Sequence, residues 1–214
     1  MSRSLRLALF VSGEGTTLEA VAEAIDGGHL PATIRLVVCD RPHAPAIERA
    51  RRRGLPTTVL PMRGVPASAW QPRLATELAE RRVELVVLAG FLSILPADWL
   101  REWAGRVINL HPALLPKFGG PGFYGRRVHE AVLASGDRES GATVHVVTAE
   151  VDGGPIVAQA RVPVEPGDTP DSLRERLRPV ETGLLCETIR RFSVGELPLP
   201  FPIPGAAAGP AGPS

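Results

Sequence analysis

The chain has 214 residues, of which 44% are hydrophobic and 22% charged, and its formal net charge is +1. This composition suits a globular protein with a substantial core, and the charge gives no electrostatic reason to expect a nucleic-acid or membrane-surface partner. The two cysteines form no disulfide framework, and no window approaches the roughly 18 apolar residues of a membrane-spanning helix. We therefore expect a cytoplasmic protein with reduced thiols.

The chain begins with a predicted strand at 5–11, apolar on both faces, and a glycine-rich turn at 12–17. Apolar residues at helical spacing after the turn predict a helix. Thr16 with Glu19 fits a capping box, so we expect the helix to begin there.

The start of this first helix is a candidate anion site. Backbone N–H groups and the helix dipole point at whatever lies there, and Gly15, Thr16 and Thr17 are candidate donors to a phosphate monoester. A dinucleotide is less favoured, because Leu18 occupies the position of the third glycine of the dinucleotide fingerprint. A tight turn without a ligand is the alternative.

Strands and helices continue to alternate along the chain. The second predicted strand, 34–39, ends in Asp40, a position at which nicotinamide-nucleotide enzymes bind a ribose, so this class stays an alternative. The next predicted elements are a helix at 45–53, a strand at 57–60, a helix at 67–82, a strand at 85–88 and a helix at 96–103. The alternation predicts an α/β fold with a doubly wound, mostly parallel sheet, in which ligands bind at the carboxyl ends of the strands.

The strand predicted at 107–111 carries two polar side chains. Asn109 and His111 are two positions apart, so they share one face near the carboxyl end of the strand, and Pro112 ends the ladder. An Asn amide donates to an oxygen that gains charge, and a His carries a proton near neutral pH. The alternative is that both side chains only satisfy buried backbone groups.

The C-terminal half contains a glycine-rich loop at 119–125, which is either a lid or an inert surface loop. The elements after this loop are a helix at 128–134, a strand at 141–147, a strand at 156–164 and a helix at 173–192. Asp152 lies in the turn at 150–155 between the last two strands, ahead of Gly153 and Gly154, where an Asp commonly bonds its own backbone. We expect one domain over 1–204, with strands of mixed direction in this half, and a disordered Pro/Gly/Ala tail over 205–214.

Several sequence blocks, in this order, resemble the phosphoribosylglycinamide formyltransferase family. The blocks are 12–18, 89–91, 109–116, 141–145 and 152–164. The resemblance implies a Rossmann-like formyltransferase fold and no metal, in a monomer or homodimer. It also implies that a formyl group passes from 10-formyltetrahydrofolate, a co-substrate, to the amine of 5-phosphoribosyl-glycinamide through a tetrahedral intermediate. This reaction belongs to de novo purine biosynthesis, and its substrates are small molecules.

The resemblance also implies roles for individual residues. The catalytic residues are Asn109, His111 and Asp152. The ribonucleotide-binding residues are Gly13, Gly15, Thr16, Thr17, His129 and Glu181, and the folate-binding residues are Leu92, Ser93, Ile94, Leu95 and Asn109. The carboxylate of Asp152 beside the imidazole is predicted to raise the pKa of His111 and favour imidazolium.

Some positions depart from the family pattern or leave a choice open. Glu14 stands in the phosphate loop where a neutral residue is usual, and Arg178 stands where Gln is common. His145 is expected to be a structural residue of its strand. The alternative functions are a formyltetrahydrofolate deformylase, which passes the formyl group to water, and a nucleotide-binding module without catalysis.

Overall fold

The computed structural model of the chain describes residues 4–204, so the expected tail at 205–214 lies outside the described residues. Within this range, seven strands form one sheet. They are β1 (Leu5–Val11), β2 (Ala32–Cys39), β3 (Thr57–Val59), β4 (Leu85–Leu88), β5 (Val107–His111), β6 (Glu139–Val146) and β7 (Ile156–Pro163). The helices of the same range are α1 (Thr16–Asp26), α2 (Pro45–Arg52), α3 (Ala67–Glu80), α4 (Ala97–Glu102), α5 (Arg126–Ser135) and α6 (Pro170–Ser193).

The sheet order is β3-β2-β1-β4-β5-β6-β7. The strands from β3 to β5 pair in parallel, whereas β6 is antiparallel to both β5 and β7. The chain winds outward from β1 to β3 and then returns to place β4 on the other side of β1. This reversal is the topological switch point, where open α/β sheets bind their ligands. The predicted fold class, including mixed strand directions in the C-terminal half, is confirmed.

Both faces of the sheet are covered, which explains why the first strand is apolar on both of its faces. Leu7 and Leu9 point into a core cluster that also includes residues of α1, α2 and α6. Ala8 and Phe10 point to the opposite face, into a cluster shared with α3 and α4. Period-two alternation therefore places apolar side chains on both faces of this strand, with Arg6 near its start as the one charged residue. None of the helices within 4–204 is long and apolar enough to cross a membrane.

The first helix begins at Thr16, as predicted, but the predicted capping box is wrong. Gly15 is the N-cap, with a left-handed φ of 75°, and no side chain caps the helix. A Cβ on Gly15 would lie 2.8 Å from Ala46, so α1 and α2 approach too closely for any other residue. Thr16 is thereby shifted into the first turn, and Glu19 instead forms a 2.7 Å ion pair with Arg53 after α2.

Candidate active site

A cavity of about 1230 Å³ lies at the carboxyl ends of β1, β4 and β5, beside the switch point. Its walls come from the start of α1, the loop before α4, the end of β5, the glycine-rich loop before α5, the turn before β7, and one face of α6. The predicted turn at 12–17, the loop after β4 and the Asn109/His111 pair therefore contribute to one cleft, as expected from the parallel topology. The glycine-rich loop at 119–125 lines it too.

His111 and Asp152 meet at the inner end of this cavity. The His111 Nδ1 atom lies 3.6 Å from Asp152 Oδ2, and only 4% of the His111 side chain is exposed. The opposite ring nitrogen, Nε2, lies 2.8 Å from the carbonyl oxygen of Phe118. The N–H of Gly120 donates to Asp152 Oδ2 at 2.9 Å, so the glycine-rich loop is bonded to the His–Asp pair.

The electrostatics of the pair differ from the prediction. Burial lowers the pKa of His111, and this effect outweighs the opposing effects of Asp152 and of the Phe118 carbonyl. Asp152 does raise the pKa of His111, as predicted, but the prediction that imidazolium is favoured is wrong, because burial disfavours the charged ring more strongly. The resting ring is neutral at pH 7, with its proton on Nε2 facing the carbonyl and a bare Nδ1 facing Asp152.

Asp152 itself stays ionised. Burial alone raises the pKa of Asp152, but a hydrogen bond from His145, the proximity of the His111 imidazole and the Gly120 N–H together hold it below its usual value. Asp152 also adopts a left-handed backbone with a φ of 55°, which is uncommon for a residue other than glycine. A buried carboxylate held in this way stabilises a proton that arrives on the neighbouring imidazole.

Asn109 and His145 complete the same cluster of Asn109, His111, His145 and Asp152, which we call the catalytic corner because it contains the three predicted catalytic residues. The Asn109 Nδ2 atom lies 3.1 Å from His145 Nε2, and that nitrogen is 3.5 Å from Asp152 Oδ1. His145, expected to be a structural residue of its strand, therefore also contacts two of the predicted catalytic residues. Asn109 and His145 are opposite each other in the antiparallel β5–β6 ladder, and that long-range register is the signal that the sequence lacks.

The predicted phosphate-binding residues divide into two pairs. Thr16 and Thr17 line the cavity at the start of α1, whose first N–H groups have no side-chain cap. Gly13 is exposed and Gly15 is buried against α2, and neither lines the cavity. Glu14 is exposed, so solvent screens its charge.

Arg49 of α2 is a site residue that the sequence analysis did not single out. It lines the cavity beside Thr16 and Thr17, a group that we call the phosphate side. Its Nε atom is buried and has no hydrogen-bond partner among residues 4–204. Two cavity-lining carboxylates nearby, Glu19 and Glu23, are instead paired with Arg53, at 2.7 and 3.4 Å. The half-buried Arg49 side chain thus keeps a free guanidinium nitrogen for an anion, which its spacing along α2 alone did not indicate.

His129 and Glu181 also reach the cavity, from α5 and α6. His129 is 2% exposed, and its Nδ1 has no partner within the described part of the chain. Burial, with the charge of Arg174, lowers the pKa of His129. Burial raises the pKa of Glu181 to about 7, against the opposing charges of Arg174 and Arg178. Near pH 7, this carboxyl is therefore present in both its protonated and its ionised form.

The four predicted folate-binding residues after β4 form one wall of the cavity. Leu92 and Ile94 are 47% and 78% exposed, whereas Leu95 is buried and Ser93 lies between these extremes. All four residues line the cavity, as does Asn109. Exposed leucine and isoleucine side chains at a cavity wall suit a flat, partly apolar ligand.

The comparison with protein families agrees with this geometry. The family described as formyl transferase matches residues 5–189. The chain belongs to the formyl transferase family. The matched range contains every strand described above and all four residues of the catalytic corner.

Relatives within the formyl transferase family carry more specific names. The chain is 39% identical over 189 residues to the chloroplastic phosphoribosylglycinamide formyltransferase of Arabidopsis thaliana, covering 87% of this chain and 65% of that protein. It is 36% identical to the phosphoribosylglycinamide formyltransferase of Escherichia coli K12, covering 90% of this chain and 89% of that protein. The crystal structure of glycinamide ribonucleotide transformylase 1 from Geobacillus kaustophilus matches with a TM-score of 0.80 at 35% identity, covering 88% of this chain and 98% of that one.

Proposed function

We propose that this protein transfers the formyl group of 10-formyltetrahydrofolate to the amine of 5-phosphoribosyl-glycinamide, the purine-biosynthesis step for which its relatives are named. The observation that carries the proposal is the catalytic corner, in which His111 lies 3.6 Å from Asp152 within a cavity that also has an uncapped helix start and an apolar wall. An amide, an imidazole and a carboxylate at one point suit acyl transfer between two bound substrates.

The two substrates suit different walls of the cavity. The phosphate of the ribonucleotide accepts hydrogen bonds from the backbone at Thr16 and Thr17 and pairs with the guanidinium of Arg49. Glu181 and His129 face the sugar and amine region. The pterin of the folate lies against the wall formed by residues 92–95, and its formyl group reaches the catalytic corner.

The chemistry follows from charge that develops on the formyl oxygen. The amine attacks the formyl carbon, and the tetrahedral intermediate carries an oxyanion that accepts a hydrogen bond from Asn109. His111 takes up the proton that the amine loses, at the Nδ1 atom facing Asp152, and the carboxylate stabilises the imidazolium. The same proton then passes to the folate nitrogen as its bond to the formyl carbon breaks.

The test is to supply the two substrates separately and together. We expect deformylated folate and formylated ribonucleotide to appear in equal amounts only when both substrates are present. Formyl loss without the ribonucleotide would instead favour a deformylase, and tight binding without turnover would favour a binding module.

The remaining features of the proposal concern the protein as a whole. We propose that 1–204 act as one domain on small molecules in the cytoplasm, as a monomer or homodimer, and without a metal. Dialysis against EDTA is expected to leave turnover unchanged, because the proposed proton transfer uses only side chains. Activity lost on dialysis and restored by a divalent cation would contradict this.

A further inference from the structure

The wall at Leu92–Leu95 exposes apolar side chains that would be more stable if buried. Leu92 is 47% and Ile94 78% exposed, and the segment lies in neither a helix nor a strand. Burial of apolar surface is favourable, so side chains that stay exposed at the edge of a cavity depend on a backbone that is held in place. Contacts between the sheet and the backbone of residues 92–95 are therefore expected to hold this segment.

Two hydrogen bonds connect the segment to the sheet. The N–H of Leu92 donates to Ser12 Oγ at 2.8 Å, and the hydroxyl of Ser93 donates to Asp40 Oδ2 at 2.6 Å. Ser12 follows β1 directly and is 1% exposed, and Asp40 follows β2 directly and is 7% exposed. Both anchors thus belong to the rigid carboxyl edge of the parallel sheet.

The Asp40 carboxylate is an expensive group to bury for this purpose. Its second oxygen, Oδ1, is buried and has no hydrogen-bond partner in the range 4–204. Burying a partly satisfied carboxylate opposes folding. Asp40 also lies outside the lining of the cavity, so it has no direct contact with a ligand there. Its contact with Ser93 is therefore the feature that needs an explanation.

We propose that Asp40 is a positioning residue, which acts through the Ser93 hydroxyl to hold the folate-facing wall open in its binding conformation. The proposal rests on the proposed function, because it takes the ligand of this wall to be the pterin of the folate. The bond to Ser93 fixes the backbone between Leu92 and Ile94, and so keeps both side chains pointed at the ligand. The position of Asp40 after β2 then serves the folate wall instead of the ribose of a dinucleotide.

The experiment compares binding of the two substrates to variants of this single contact. Ser93→Ala removes the hydroxyl, Ser93→Thr keeps it, and Asp40→Asn keeps an oxygen acceptor without the charge. Asp98→Asn is the matched control, because it makes the same change at an exposed position of α4, directly after the wall. Dissociation constants for folic acid and for the ribonucleotide are measured by quenching of tryptophan fluorescence, with Michaelis constants from turnover.

We expect Ser93→Ala to weaken folic acid binding about 10-fold, the usual size for a lost hydrogen bond to a charged group. Ribonucleotide binding should stay within about twofold, since that ligand uses other walls, and Ser93→Thr should restore folate binding. The effect of Asp40→Asn should be smaller, and the double variant should match Ser93→Ala because both changes act on one bond.

Equal losses of folate and ribonucleotide binding would show general loosening of the fold and overturn the proposal. Unchanged folate binding in Ser93→Ala, or losses that add in the double variant, would overturn it as well. Failure of the wild-type protein to bind any folate would overturn the proposed function and this inference together. Folate binding that is intact in the wild type and in Ser93→Ala would remove only the positioning role.

Discussion

The catalytic corner and the phosphate side differ in how their polar atoms are satisfied. In the catalytic corner, Asn109, His145 and Asp152 bond to one another or to the glycine-rich loop, and His111 bonds to a carbonyl. On the phosphate side, the buried Nε of Arg49 has no partner between residues 4 and 204, and the start of α1 has no side-chain cap. Under the proposed function, the groups for the chemistry are therefore already arranged before substrate binds, whereas the proposed phosphate site has free donors that a bound anion would satisfy.

This difference predicts different kinetic consequences for the two regions. Loss of a group from a pre-built corner removes transition-state stabilisation and lowers turnover. Loss of a group whose hydrogen bonds form only with the bound ligand weakens binding, and so raises a Michaelis constant with little change in turnover. A variant of the catalytic corner that changes only a Michaelis constant, or a variant of the phosphate side that changes only turnover, would therefore contradict this difference.

The largest effect is expected in the catalytic corner. His111→Ala and Asp152→Asn should each lower turnover about 10²–10⁴-fold, because each removes a partner of the proton transfer. Initial rates at saturating concentrations of both substrates measure this. His43→Ala, a change at an exposed histidine outside the cavity lining, is the control and should keep wild-type rates. Turnover within a few-fold of wild type in either variant would remove that residue from the mechanism.

The sequence predicted the order and kind of the elements well because strong local patterns determine them. The first strand was predicted at its observed bounds, Leu5–Val11, because a short run that is apolar on both faces and ends at a glycine-rich turn favours a buried strand. The start of α1 was also right, but the capping box was not. Whether Thr16 or Gly15 caps the helix is decided by the approach of α2, which is a tertiary contact.

The candidate site was predictable in part, for the same reason. Asn109 and His111 lie two apart on one strand, so local alternation brought them together. The position of His145 depends on the antiparallel register of β5 and β6. Arg49 remains free to bind an anion because Glu19 of α1 pairs with Arg53 instead, and this tertiary contact is not visible in the sequence. The lowered pKa of His111 depends on its depth of burial, which no spacing rule provides.

A second prediction concerns the phosphate side. Arg49→Gln should raise the Michaelis constant for the ribonucleotide about 10- to 100-fold, the range for a lost charge-assisted hydrogen bond. Turnover at saturation and the Michaelis constant for the folate should stay near wild type. Steady-state kinetics with each substrate varied in turn measure this effect.

The matched control for Arg49 is Arg52→Gln, which removes the same charge from an exposed position of the same helix. It should leave both Michaelis constants unchanged. A ribonucleotide analogue without the phosphate adds a second control, since Arg49→Gln should bind it as well as the wild type does. Equal losses with and without the phosphate would remove Arg49 from anion binding.

The smallest effect is expected at Glu181, and it appears as a pH dependence of stability. The pKa of Glu181 is raised from 4.5 to about 7 in the folded protein, so the folded state binds more protons than the unfolded state between these values. Stability contributed by this group is therefore present below about pH 4.5 and is lost as the pH rises towards 7. Above pH 7, the ionised carboxylate opposes folding because it is partly buried.

Glu181→Gln should consequently raise the melting temperature at pH 8 and leave it unchanged at pH 4, measured by thermal unfolding in matched buffers. Glu175→Gln, at an exposed position of the same helix, makes the same chemical change and should show no such difference. A melting temperature that is equal in Glu181→Gln and wild type at pH 8 would mean that Arg174 and Arg178 compensate the charge fully. In that event, the α6 side of the cavity would resemble the catalytic corner, with its polar groups already satisfied before any ligand binds.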